Sequence, residues 1–167
     1  MCSNGPMLVK VQDLPAVREK HKGQKIVLVG GAFDILHQGH IDFLRDMKSL
    51  GDILVIAVKT DMEVRDYKDL DRPIQNEDVR ASIIDAIRYV DYTVIAPEPP
   101  PNFGPDDEPP RMAVARALRP DIFATYNDRW GARRAVFESL GIELKVVPID
   151  KVNSTTSIIE RIRNLKA

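Results

Sequence analysis

Lys25-Ile26-Val27-Leu28-Val29-Gly30-Gly31-Ala32-Phe33-Asp34-Ile35-Leu36-His37-Gln38-Gly39-His40 is the stretch whose reading decides the fold. Ile26 to Val29 is a continuous aliphatic run, which suits a strand buried on both faces of a parallel sheet. Gly30 and Gly31 fall where that strand ends. Beyond them Ile41, Phe43, Leu44 and Met47 recur near helical spacing, and Gly51 supplies a stop. A strand, a glycine turn and a helix whose first N–H groups lack intrahelical partners make an anion site, so phosphate chemistry is expected here. The turn carries His37 and His40, two of the chain's three histidines.

Outward toward the C-terminus, Ile53 to Val58 is a second aliphatic run and completes a strand, helix, strand unit. Asp61 to Arg72 is polar, mixes both charge signs and reads as loop, whereas Glu77 to Tyr89 has apolar residues at helical intervals. Tyr92 to Ala96 reads as strand. Pro97 to Pro110 holds seven of the chain's 12 prolines and reads as an exposed semi-rigid loop. Helices are predicted at Met112 to Leu118, Arg133 to Leu140 and Thr155 to Leu165, and strands at Ile122 to Thr125 and Leu144 to Val147. Toward the N-terminus, Val11, Leu14 and Val17 among charges predict a surface amphipathic helix over Met7 to Gly23. The expected organisation is an N-terminal extension, 1–24, and a single domain, 25–167. Its class is α/β, a mostly parallel sheet with helices on both faces and a ligand site at the carboxyl ends of the strands, near the switch in strand order.

Composition narrows the function classes. The chain has 167 residues, 44% hydrophobic and 29% charged, as one globular domain requires. With 24 Lys and Arg against 25 Asp and Glu the formal charge is −1, which argues against polymeric nucleic acid as a partner. The one cysteine, Cys2, offers neither an internal disulfide nor a metal site. No apolar segment reaches membrane-spanning length and Met1 to Pro6 lacks the regions of a signal peptide, so no membrane association and a cytoplasmic setting are expected.

His37 and His40, three residues apart at a helix start, can face the same side, with Gly39 leaving room between them. Imidazoles donate hydrogen bonds to phosphate and add charge when protonated. Phosphoryl and nucleotidyl transfers need charge stabilisation more than covalent help, and two convergent imidazoles provide it. The alternatives are a capping and packing role for both histidines, or a metal centre. The latter would have only Asp34 to add as a nearby ligand, and no metal site is assigned. Asp34 can also orient the turn. Ser154-Thr155-Thr156-Ser157 reads as an N-cap cluster before an apolar helix, a role compatible with phosphate binding at the same helix start. Lys151 lies just before it.

Gly31-Ala32-Phe33-Asp34 with His37-Gln38-Gly39-His40 resembles the G-x-F-D-x-x-H-x-G-H signature of the cytidylyltransferase-like nucleotidyltransferases. The likeness continues through Arg72-Pro73-Ile74, Arg80, Arg88-Tyr89-Val90-Asp91 and Ser154 to Ile159, and so covers most of the chain from Lys25 onward. It implies a Rossmann-like nucleotidyltransferase fold. The implied reaction is attack by a substrate phosphate on the α-phosphorus of CTP or ATP, with pyrophosphate leaving and Mg2+ accompanying the triphosphate. On this resemblance His37, His40, Lys68 and Arg80 are the catalytic residues. Gly31, Ala32, Phe33, Asp34, Gly39, Asp128, Ser154, Thr155, Thr156 and Ser157 bind the nucleotide, and a homodimer is expected.

The pattern departs from relatives acting on glycerol phosphate or heptose phosphate after the strand Ile122 to Thr125. They carry Gly-Asp where this chain reads Tyr126-Asn127-Asp128-Arg129-Trp130, and Asp128 alone echoes the motif. Tyr126, Asn127 and Lys151 are therefore candidate substrate contacts, while Trp130 is read as packing. Similarity is divided between glycerol-3-phosphate cytidylyltransferase and heptose-phosphate adenylyltransferases, so CTP and ATP both stand. The expected acceptor is a small phosphorylated polyol or sugar. The competing readings are a flavin- or pantetheine-type adenylyltransferase and a catalytically silent nucleotide-binding regulatory module.

Overall fold

The computed structural model describes residues 7–65, 71–101, 107–126, 128–148 and 154–165. Six strands form one all-parallel sheet: β1 (Met7–Val9), β2 (Ile26–Gly31), β3 (Ile53–Val58), β4 (Tyr92–Ile95), β5 (Ile122–Thr125) and β6 (Glu143–Val146). Their order is β1-β4-β3-β2-β5-β6. From β2 the chain steps outward through β3 to β4, then crosses back to place β5 on the other side of β2. The switch in strand order therefore lies between β2 and β5, directly under the glycine turn.

Central strands carry no alternation because both faces are covered. Ile26 to Val29 and all of β3 are buried. On one face Val27, Val29, Leu54 and Ile56 pack against Phe43, Leu44 and Met47 of α2 (Gln38–Lys48) and Ala81 and Ile84 of α4 (Glu77–Asp85). On the other, Leu28, Val55, Ala57 and Phe123 pack against three further helices. These are α1 (Leu14–Lys20), α5 (Arg111–Leu118) and α6 (Arg134–Ser139). α3 (Asp61–Arg65) follows β3, and α7 (Thr155–Asn164) closes the described chain. Among the described residues no helix is long and apolar enough to cross a membrane.

Two aspartates fasten the amino ends of the central strands. Asp91 Oδ2 accepts from Leu54 N–H at 2.7 Å and from Lys48 Nζ at 2.5 Å. Asp121 Oδ2 accepts from Ile26 N–H and from Arg18 Nη1, each at 2.7 Å. Burial acts to raise the Asp121 carboxyl, but the Arg18 and Ile26 hydrogen bonds win and hold it below the usual range.

Two sequence-based expectations are corrected. Met7 to Gly23 is not one surface helix: Met7–Val9 pairs with β4, a 3-10 turn follows at Val11–Asp13, and α1 sinks Leu14 and Val17 into the core. Asp61 to Arg72 is not wholly loop, because α3 buries Glu63 and Val64.

Candidate active site

The end of β2 approaches its neighbours so closely that side chains are excluded. A Cβ on Gly31 would lie 2.7 Å from Phe33 Cε2, and one on Gly30 would collide with Arg111 Cδ. Beyond them Phe33 and Ile35 adopt positive φ, 52° and 47°. Neither is glycine, and each such residue costs on the order of 1–3 kcal/mol unless its surroundings impose the conformation.

Asp34, between those two residues, provides the restraint. It is 2% exposed. Its carboxylate accepts from Arg72 Nε at 2.9 Å and from the N–H groups of Ile74 and Gln75, each at 3.0 Å. Its carbonyl accepts from Thr155 Oγ1 at 2.5 Å. Thus the turn, the 72–75 segment and the start of α7 form one assembly. Asp34 orients the turn, and its carboxylate is directed to protein donors.

The turn delivers His37 as the N-cap of α2 and His40 one turn later. Their rings stack, with centroids 3.8 Å apart and an interplanar angle of 22°, and Phe33 meets His40 edge-on at 5.5 Å. Phe33 is buried, so its backbone, not its ring, can face a ligand. Among the described residues neither Nδ1 has a hydrogen-bond partner, although both atoms are buried. Burial pushes His40 down to about 4, His37 pushes the same way, and Asp34 only partly opposes them. Burial lowers His37 too. Near neutral pH both rings are therefore uncharged, each with one N–H to donate, beside the positive end of a helix. The charge that protonation would add is therefore held back near neutral pH.

Arg80 faces the protein interior. It is 0% exposed, and its guanidinium donates to Gln75 O, Ala32 O, Lys59 O and Asp61 Oδ1 at 2.6 to 2.9 Å. These bonds use four of its five N–H groups and leave one, too few for a bidentate grip on phosphate while they hold. Arg80 instead locks α4 to the turn and to the end of β3.

The hydroxyl cluster at α7 divides its work. Ser154 Oγ accepts from Ser157 N–H at 3.1 Å, and Ser157 Oγ accepts from Ser154 N–H at 3.0 Å, a reciprocal cap. Thr155 reaches the turn, and Thr156 is exposed. Gly39 lies in the first turn of α2, where the first intrahelical bond is His40 N–H to His37 O at 2.9 Å. Tyr126 is exposed and meets Phe43 edge-on at 5.8 Å. Trp130 packs between Phe123 and Phe137, as its size predicts. Lys68, Asn127, Lys151 and the side chain of Asp128 lie outside the described residues; the backbone of Asp128 opens a 3-10 segment.

Arg72 and the buried group of Lys59, Glu63 and Arg111 are missed by sequence reasoning. Arg72 lies in a stretch the resemblance covers, and its neighbour in space, Asp34, is far away in sequence. For the pair Glu63–Arg111 no sequence signal exists, because 48 residues separate them.

The profile of the family described as Cytidylyltransferase-like matches residues 28–165. The chain is 35% identical over 166 residues to the Bifunctional protein HldE of Pelobacter propionicus, a match covering 96% of this chain and 32% of that protein. It thus spans about a third of the length of that relative. A crystal structure of the lipopolysaccharide core biosynthesis protein from Thermoplasma volcanium GSS1 is 30% identical with a TM-score of 0.61, covering 78% of this chain and all of that one. A pantoate-beta-alanine ligase from Francisella tularensis shares the fold at 13% identity and a TM-score of 0.57, covering 98% of this chain and 78% of that chain. A glycine-lined strand end at the switch point, a paired-histidine helix start and a match over most of the chain agree: it belongs to the cytidylyltransferase-like family.

Proposed function

We propose that the chain transfers a nucleotidyl group from ATP or CTP to the phosphate of a small sugar or polyol. The observation that carries this is the stacked His37–His40 pair at the first turn of α2, with two buried ring nitrogens that lack hydrogen-bond partners among the described residues. An acceptor phosphate oxygen attacks the α-phosphorus, the bond from that phosphorus to the bridging oxygen of the β-phosphate breaks, and pyrophosphate leaves. His37 and His40 donate N–H bonds to the α-phosphate oxygens, whose charge must be stabilised through the transition state. The backbone of Gly31 to Phe33 and the first turn of α2, including Gly39, cradle the phosphates. Lys68 neutralises triphosphate charge, and the N-terminus of α7, through Thr156 and its free N–H groups, receives the pyrophosphate. Tyr126, Asn127, Asp128 and Lys151 border the nucleoside and acceptor.

Arg80, Asp34 and Thr155 act through position, holding the strained turn. Mg2+ belongs to the proposal as companion of the triphosphate. Among the described residues no cluster of three ligating side chains exists, and the Asp34 carboxylate is already engaged. These residues do not form a magnesium cage, and no step is assigned to the ion. A sugar phosphate is favoured over a flavin or pantetheine phosphate because a similar protein is named for lipopolysaccharide core biosynthesis. The homodimer implied by family resemblance is part of the proposal.

Pyrophosphate release with ATP and with CTP across a panel of acceptor phosphates tests the reading. One nucleotide is expected to give acceptor-dependent release, and His40→Ala to lower kcat by about 10²–10³ while nucleotide still binds. Nucleotide binding without release from any acceptor would instead favour a silent regulatory module. Full activity in His40→Ala would overturn the assignment of the histidines.

A further inference from the structure

Two arginines hydrogen-bond to the turn, and the protein uses them unequally. A guanidinium carries five N–H donors. Arg80 makes four bonds to protein, whereas Arg72 makes one, from Nε to Asp34 Oδ2 at 2.9 Å. The four N–H groups on Arg72 Nη1 and Nη2 have no partner among the described residues. Its side chain keeps 11% of its surface exposed, and neither Nη nitrogen is sealed from solvent. A largely buried cation thus holds its anchored edge against protein and leaves its forked edge open.

Three contacts locate that edge. The carbonyl of Asp34 accepts from Thr155 Oγ1 at 2.5 Å, in the first turn of α7. Asp71, the residue before Arg72, lies 3.5 Å from Arg163, about two turns further along the same helix. The 71–72 segment therefore runs beside α7, with the Arg72 head group at the end where the helix begins. Asp34 is also near enough to His40 to oppose, in part, the lowering of its titration. Arg72, the start of α7 and the histidine pair border one region, with Asp34 as their common neighbour.

The free edge selects the chemistry of what binds. Two Nη groups side by side in one plane match two oxygens of a phosphate, a fit that a carbonyl or a hydroxyl does not offer. The fork is held ready, because Ile74 and Gln75 N–H also donate to the Asp34 carboxylate, each at 3.0 Å, and so fasten the backbone beside Arg72. Little side-chain freedom is left to lose when an anion arrives. Asp34 offsets the cost of burying the cation and engages only its Nε.

We infer that Arg72, anchored through Nε on Asp34, binds the β- and γ-phosphates of the nucleotide with its two Nη groups and holds the departing pyrophosphate. When the bond from the α-phosphorus to the bridging oxygen breaks, its electron pair stays on the β-phosphate, and the guanidinium stabilises the charge that gathers there. This rests on the nucleotidyl-transfer reading.

The test is equilibrium binding of pyrophosphate, ATP, CTP, AMP and CMP to the wild type, Arg72→Lys and Arg72→Gln, with acceptor KM measured alongside. Arg72→Lys keeps the charge but cannot hold Asp34 and two phosphate oxygens at once. In both variants affinity for pyrophosphate and for the triphosphates is expected to fall about tenfold or more, while binding of the monophosphates is kept. A purely structural role, as the partner of Asp34, would weaken all five by the same factor and overturn the inference. So would an effect confined to the KM of the acceptor phosphate. The wild type decides even if the variants fail to fold: methylglyoxal, which condenses with free Nη groups, should modify Arg72 and spare Arg80 in peptide mass mapping, and pyrophosphate should protect Arg72. An unreactive Arg72 in the empty protein, or equal modification with pyrophosphate bound, overturns the inference. A wild type that neither binds pyrophosphate nor releases it from ATP or CTP would overturn the transfer reading itself, whereas one that does both, with variants unimpaired toward pyrophosphate, overturns the role of Arg72 alone.

Discussion

The polar groups on the two sides of the glycine turn are in opposite states. Behind it, Arg80 and Asp34 are buried and bonded: the guanidinium makes four hydrogen bonds and the carboxylate accepts three. At its mouth, His37 and His40 are stacked and pushed toward the neutral form, with Nδ1 atoms that no described residue satisfies. By residue type alone Arg80 looks as much like a phosphate ligand as the two histidines do. Hydrogen-bond satisfaction separates them, because a group mostly bonded to protein has little capacity left for substrate, while an unsatisfied buried group is costly until a ligand arrives.

The largest effect expected from this contrast is on stability. Arg80→Ala leaves three carbonyls and Asp61 without their donor in a buried place, and should destabilise the fold by about 3–5 kcal/mol in denaturant unfolding. His40→Ala, by contrast, should keep most of the stability while losing turnover. A mildly destabilised Arg80→Ala whose whole defect was in nucleotide affinity would break the comparison and return Arg80 to the phosphates.

A smaller effect concerns acid. His40 in the fold sits at about 4, below its ordinary value near 6.5. The unfolded chain therefore binds the proton more readily, and stability should fall as pH drops from about 6.5 toward 4, with no contribution above that window. The loss is on the order of 2 kcal/mol, allowing for partial exposure of the ring. His40→Gln should flatten this part of the unfolding-versus-pH curve. Equal slopes in the two proteins would mean that the ring is not held neutral.

The fold was largely legible because its central strands are long aliphatic runs. Ile53–Val58 and Ile122–Thr125 are predicted and found with the same bounds. Met7–Val9 was not legible, since three residues cannot establish a period and only their pairing with β4 makes them a strand. α3 was hidden because five residues rich in charge look like loop until Glu63 finds Arg111. At the site, the spacing of His37 and His40 places them at one helix start, but whether they carry charge depends on burial, which no spacing encodes. Arg80 was assigned to phosphate for the same reason: a sequence shows that a cation is present and not which carbonyls surround it. Thr155 and Asp34, 121 residues apart, meet only through the order of the strands.

The central claim is that an uncharged, stacked His37–His40 pair receives the α-phosphate. Its most direct test is to follow the ring C–H resonances of both histidines by NMR from about pH 4 to about pH 8, in the empty protein and with ATP or CTP bound. In the empty protein both should titrate below the ordinary histidine value, His40 at about 4. Bound nucleotide should shift both resonances and move both titrations upward, because a phosphate anion favours the charged ring. Ordinary titration in the empty protein, or nucleotide binding that leaves both rings unmoved, would contradict the account.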